Sequence, residues 1–293
     1  MANTDKDGML PSGQPCIQTS TLQSFVGMAK FLADTQYTSA MIGIAVGAPG
    51  IGKSVGIRSY QQEELRQEGV SSTSISITVH PRPTPHALIG WLMVALEGKT
   101  SAMRHSSTLD DLVETIDRQN RRLVILDGAD YLNDACLDIL CTLFDRIHRP
   151  LLLVGLPPLL QRSLNHPHLF DRVGLTLKLV PLSYEEVLQV VLPSLVFPGW
   201  VFDPDLEADR LLGEQLWEYA SPSLRRLSNV LQAASTIVLR GHEPKVTEAC
   251  IRYAMQLQAP PRERQLTIQA RLKERKHQIA KEEWHEYSHE LRR

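Results

Sequence analysis

The sequence predicts an α/β protein: a parallel, five-stranded sheet covered by helices on both faces, followed by a smaller all-α annex. Three observations carry this. Short apolar runs at 41–46, 123–126, 151–154 and 175–179, with a strand-like segment at 75–79 that alternates with Ser and Thr, are interleaved with helix-compatible stretches, the pattern of a parallel sheet covered on both faces. A glycine-rich segment joins the first run to a helix. After Pro181 the strand pattern stops, and only helical periodicity continues to about Leu257.

Residues 1–20 are polar, aperiodic and contain Pro and Gly, so they read as a flexible leader. Leu22, Phe25, Val26, Phe31 and Leu32 follow helical spacing. Helices are predicted over 53–66, from the Pro81/Pro83/Pro85 break through Leu96, over 109–117 and over 135–147. Ser183 with Glu186 three residues on is a capping-box signature that opens the annex. The resulting division is a leader (1–20), an α/β domain (21–181), a helical region (182–258) and a charged C-terminal tail (259–293), in which Arg271, Lys273, Arg275, Lys276 and Lys281 alternate with Glu as on a solvated helix face.

Composition narrows the function classes. The 293 residues carry 31 Lys+Arg against 33 Asp+Glu, so no global basic field draws the chain to nucleic acid, and DNA binding has to come from a local stripe repeated by oligomerisation. Cys16, Cys136, Cys141 and Cys250 show no C-x-x-C spacing, which suits reduced thiols. The N-terminus lacks the basic-then-apolar order of a secretory signal, and the longest apolar runs are too short to span a bilayer. The expectation is a soluble cytoplasmic protein with no membrane partner.

Residues 47–54 read GAPGIGKS and satisfy G-x-x-x-x-G-K-[ST] between an apolar strand and a helix. In such a loop the backbone N–H groups and the helix N-terminus face the phosphates, Lys53 reaches the β/γ oxygens, and the Ser54 hydroxyl holds the cation. Gly47, Ala48, Pro49, Gly50, Ile51, Gly52, Lys53, Ser54 and Val55 are therefore the predicted binding residues for ATP with magnesium (Mg2+). The complementary acid is Asp127, which ends the run LVILD and belongs on the magnesium shell with Ser54.

With these motifs the sequence resembles the AAA+ ATPases, a three-layer αβα P-loop domain with a small helical lid, over roughly 25–257. Within them VHPRPTPHALIGWLM (79–93), the run from LLLVGLPPLL to LFDRVGLTLKLVPLS and ASPSLRRLSNVLQAAS (220–235) resemble transposition regulators of the TnsC/TniB/MuB type. That resemblance implies a homo-oligomer, ring or helical filament, assembled on duplex DNA to recruit a transposase, with a CRISPR-associated or other targeting subunit upstream. It places Arg226, or else Arg225, as the lid arginine at the γ-phosphate, and Arg172 as the arginine offered to a neighbouring subunit's nucleotide. Lys99, Thr100 and Arg104 fall in the region that lines the inside of DNA-encircling members.

Two departures from the family bear on catalysis. The Glu that follows the strand-terminal Asp and polarises the attacking water is here Gly128, and the Thr or Asn after the fourth strand is Leu156. The resemblance with these losses implies ATP binding with weak hydrolysis. Gly128→Glu is expected to raise turnover, provided the strand end points that carboxylate at the γ-phosphate, and Asp130 is the candidate substitute base. The alternatives are a replication-initiator or helicase-loader-like ATPase and a non-hydrolysing interaction module. HEYSH (285–289) matches H-E-x-x-H but sits in the charged tail with no third ligand downstream, and reads as a chance match; His166 and His168 read as loop surface.

Overall fold

The computed structural model describes residues 16–34, 41–68, 73–97, 108–221, 223–241 and 245–258, which divide into two compact units, Met1–Ser183 and Tyr184–Arg293. In the first unit the strands are β1 (Ile42–Val46), β2 (Ser74–Thr78), β3 (Leu123–Asp127), β4 (Leu151–Gly155) and β5 (Val173–Lys178). They form one sheet in the order β2-β3-β4-β1-β5, with every pairing parallel. Parallel neighbours need crossovers, and helices supply them. These are α1 (Ser20–Asp34), α2 (Lys53–Glu68), α3 (Pro85–Glu97), α4 (Leu109–Arg118), α5 (Asp134–Ile147), α6 (Pro158–Leu164) and α7 (Pro167–Phe170).

The period-2 geometry of the strands explains the three layers. Ile42, Ile44 and Val46 of β1, Val124 and Leu126 of β3, and Leu151 and Leu153 of β4 pack with α3, α4 and α5 on one face. Their alternating neighbours Ala45, Leu123, Ile125, Leu152 and Val154 pack with α1 and α2 on the other. Both sets are apolar, so these strands read as continuous runs. β5 sits at the sheet edge and its residues alternate between partly buried and exposed, which is why Val173 and Gly174 lie in the strand although the apolar run begins at Leu175. Among the described residues no helix is long and apolar enough to cross a membrane.

Local chemistry sets the helix ends. Thr108 and Asp111 form a reciprocal capping box for α4, and Asn133 caps α5 through Cys136 N–H. The segment 166–170 differs from its expectation as loop: Pro167 occupies the first turn of α7, and the His166 ring accepts from Leu169 N–H at 3.2 Å while facing Asp138 at 3.3 Å.

In the second unit a continuous helical stretch runs from α8 (Tyr184–Glu186) through a π turn (Val187–Val191) into α9 (Leu192–Ser194). Pro193 accounts for the π turn: its ring excludes the carbonyl of residue 189 from the ordinary i→i−4 position, and Leu192 N–H bonds instead to Val187 O. Three longer helices follow, α10 (Glu207–Ala220), α11 (Leu224–Gly241) and α12 (Glu248–Leu257). Trp200 stacks on Phe202 at 5.6 Å and donates to Leu192 O at 3.0 Å, fixing the connection between α9 and α10.

Candidate nucleotide site

Strand register brings the sequence-separated motifs together at the carboxyl ends of the strands. Val46, the last residue of β1, pairs with Gly155, the last of β4, and Asp127, the last of β3, pairs with Val154. The loop leaving β1 is tied to its neighbour because Gly47 N–H donates to Gly155 O at 3.2 Å. Gly50 and Gly52 then adopt φ of 78° and 110°, backbone that other residues enter only with strain, and α2 starts at Lys53. A side chain added at Gly52 would meet nothing within 4 Å, so the loop faces open space there. Ile51 is 2% exposed and anchors the loop in the core on the α1/α2 face, against which Val55 also packs. Pro49 is exposed, and Ala48 partly so.

The charged groups follow. Lys53 Nζ donates to Gly47 O at 2.6 Å and Ala48 O at 2.9 Å, placing the ammonium across the mouth of its own loop. Ser54 Oγ donates to Asp127 Oδ2 at 2.6 Å, joining residues 73 positions apart. The site fits ATP with magnesium. A hydroxyl and a carboxylate in contact are two hard oxygens of the kind Mg2+ selects, and N–H groups at the start of a 16-residue helix suit phosphate. Ser54 and Asp127 would hold the cation, which neutralises phosphate charge when bound, and Lys53 with the loop would hold the phosphates.

Beyond Asp127 the chain turns sharply. Gly128 has φ 79° and ψ 28°, and a Cβ there would stand 3.1 Å from Val79 O. The position is left-handed and crowded by backbone, so a glutamate there is strained. A 3-10 turn (Ala129–Tyr131) follows, so Asp130 lies past the end of β3 as expected. Its carboxylate Oδ1 accepts from Leu156 N–H at 3.0 Å, at the tip of β4. Arg162 of α6 donates through Nη1 to the Asp130 and Leu132 carbonyls, stitching this turn to the segment after β4. Nothing in the sequence signals Arg162, since its hydrogen-bond partners are backbone oxygens some thirty residues upstream.

The two candidate arginines are held within their own units. Arg172 makes a two-pronged ion pair with Asp145 of α5, Nε to Oδ1 at 2.7 Å and Nη2 to Oδ2 at 2.6 Å, and Nη1 donates to His168 O. These hydrogen bonds hold the Asp145 carboxyl below its ordinary range and raise the Arg172 guanidinium above its own. Arg226 of α11 lies over the Tyr219 ring of α10, 5.6 Å from the centroid, a cation–π contact, whereas Arg225 is exposed. Burial pushes the Tyr219 hydroxyl up, and Arg226 partly offsets this. Lys99, Thr100 and Arg104, and the HEYSH segment, lie outside the described residues.

Residues 36–163 match the AAA domain family. No curated protein sequence is similar to the chain. Among solved structures it resembles the Aeropyrum pernix ORC1 protein in complex with DNA, with a TM-score of 0.64 and 21% identity over 84% of this chain and 67% of that one. It also resembles the Aeropyrum pernix ORC2 protein in its ADPNP–ADP complexes, with a TM-score of 0.66 and 18% identity over 89% and 73%. Cdc6p from Pyrobaculum aerophilum superposes with a TM-score of 0.62 and 16% identity over 86% and 70%. The strand order, the loop at the end of β1 and these likenesses agree on the α/β fold of the AAA+ P-loop proteins, within which residues 36–163 match the AAA domain family.

Proposed function

We propose that this chain is an ATP- and magnesium-dependent switch that oligomerises on duplex DNA, as a ring or filament, and recruits a transposase to that DNA. The observation that carries the nucleotide half is the 2.6 Å contact between Ser54 and Asp127 beneath an open, glycine-turned phosphate loop. In this reading Lys53 reaches the β/γ phosphates, Ser54 and Asp127 hold magnesium, Arg172 serves a neighbouring subunit's nucleotide, and Arg226 serves the subunit's own. Lys99, Thr100 and Arg104 contact DNA phosphates. The likeness to an ORC1 protein in complex with DNA supports a DNA partner, and the near-neutral chain favours weak contacts multiplied around an oligomer. Hydrolysis is weak, because no glutamate follows Asp127 and Leu156 stands after β4.

A second setting has an observation of its own. The likeness to ORC2 and Cdc6p favours a replication-initiator or helicase-loader-like role for the same switch. Electron microscopy with ATP, with and without duplex DNA, tests the shared part: ATP-dependent rings or filaments are expected on DNA of any sequence. Affinity should fall about tenfold or more between low and moderate salt, and charge reversal at Lys99 and Arg104 should weaken all sequences alike and flatten that slope. A salt-independent affinity overturns the phosphate-tracking reading. Stimulation of a co-encoded transposase, against loading of a replicative helicase, separates the settings.

A further inference from the structure

We infer that Asp130 orients the attacking water for the slow ATP hydrolysis of this protein, from a position built for it at the tip of β4. This rests on the proposed nucleotide site and adds a residue to it.

The placement depends on several features outside the phosphate loop. Asp130 is half-buried in the 3-10 turn after β3. The left-handed Gly128 reverses the chain, so that the turn leans over β4, the strand between β3 and β1. Asp130 Oδ1 accepts from Leu156 N–H at 3.0 Å. The preceding residue must be glycine for this to happen, because a Cβ at Gly155 would stand 2.7 Å from that oxygen and 3.1 Å from Asp130 N. Arg162 clamps the turn from below through the carbonyls of Asp130 and Leu132.

The peptide that the carboxylate rests on is the one next to the phosphate loop. Gly155 O accepts from Gly47 N–H, the first residue of the loop, and the next N–H along β4 is the one that Asp130 holds. The carboxylate thus stands between the strand that delivers Asp127 and the strand that delivers the loop. Asp127 is already engaged by Ser54. Among the described residues Asp130 Oδ2 has no hydrogen-bond partner, so one oxygen anchors the group and the other is available.

Phosphoryl transfer requires a positioned nucleophile as well as neutralised charge, and a carboxylate is a sufficient acceptor for the water's proton. The step is ATP plus water to ADP and phosphate. The water oxygen bonds to the γ-phosphorus as the bond to the β–γ bridging oxygen breaks. The departing electron pair stays on ADP, and the proton taken up by Asp130 returns to the phosphate product. A short side chain with one oxygen committed to Leu156 N–H accounts for a slow rate.

Asp130→Asn is the discriminating variant, since its amide oxygen can still accept from Leu156 N–H while the charge is lost. It should bind ATP as the wild type does and melt within a degree or two of it, yet hydrolyse at least about a hundredfold more slowly. Its affinity for ADP with aluminium tetrafluoride, a mimic of the transferring phosphoryl group, should fall by a similar factor. Gly155→Ala, which displaces the carboxylate without removing it, should lower turnover in the same direction. Wild-type turnover and fluoride-complex affinity in Asp130→Asn would overturn the proposal, as would wild-type hydrolysis no faster than the variant's. Failure of the wild type to bind ATP would instead overturn the nucleotide site itself.

Discussion

The ends of β1 and β3 solve one problem, holding chemistry at the carboxyl ends of parallel strands, in different ways. At the end of β1 the groups are main-chain: a loop turned by Gly50 and Gly52, anchored by Ile51 and closed by Lys53 on its own carbonyls. At the end of β3 they are side chains delivered across strands, Asp127 to Ser54 and Asp130 to the backbone of Leu156, through gaps left by Gly128 and Gly155. The first arrangement is local, so eight consecutive residues specify it. The second depends on which strands are neighbours, and no window of sequence states that.

The largest effect should come from the β1 end. Lys53→Ala removes the ammonium that spans the loop mouth, and losing one partner of a desolvated charge pair costs about 2–5 kcal/mol. ATP binding measured by titration calorimetry should weaken by roughly a hundredfold or more, at about 1.4 kcal/mol per tenfold. An affinity within a factor of three of wild type would break the contrast, since the loop would then bind through backbone alone.

Gly128→Glu probes the β3 end, with a smaller effect. A non-glycine residue at φ 79° costs about 1–2 kcal/mol, and its Cβ would crowd Val79 O. The variant should melt a few degrees lower, at about 2–4 °C per kcal/mol for a domain of this size, with no gain in turnover. An unchanged melting temperature with faster hydrolysis would restore the simple substitution logic and count against Asp130.

The smallest effect belongs to Asp145→Asn, which releases Arg172 without touching the phosphate loop. Both side chains are partly solvated, so the pair contributes about 0.5–1 kcal/mol at most. The hydrogen bond from Arg172 lowers the folded-state pKa of Asp145 below 3.8. The stabilisation is therefore fully present above about pH 4 and is lost as pH falls through the lowered folded value. Denaturation curves of wild type and variant should differ at pH 7 and converge in acid. A constant offset down to pH 2 would mean that packing, not charge, sets the difference.

The sheet was legible because burial on both faces forces strands into apolar runs, and turns concentrate Gly and Pro. Val124, Leu126 and Leu153 face one helical layer and Leu123, Ile125 and Leu152 the other, yet all read alike in sequence. The edge strand β5, which alternates, was displaced by about two residues for the same reason. The short helices α6 and α7 were missed because their ends are set by Pro158, Pro167 and the His166 ring, not by periodicity. In the second unit helical spacing was visible, but the π turn forced by Pro193 was not.

By itself the sequence determined the phosphate loop, the acid at the end of LVILD, and an α/β domain followed by helices. Each follows from rules that act within one turn of helix or one strand. Tertiary structure alone decided that Asp127 meets Ser54, that Arg172 is held by Asp145 and Arg226 by Tyr219, and that Asp130 reaches Leu156. Those contacts join residues from 7 to 73 positions apart. They depend on strand order and on where a missing Cβ leaves room, properties that arise only when the layers have packed.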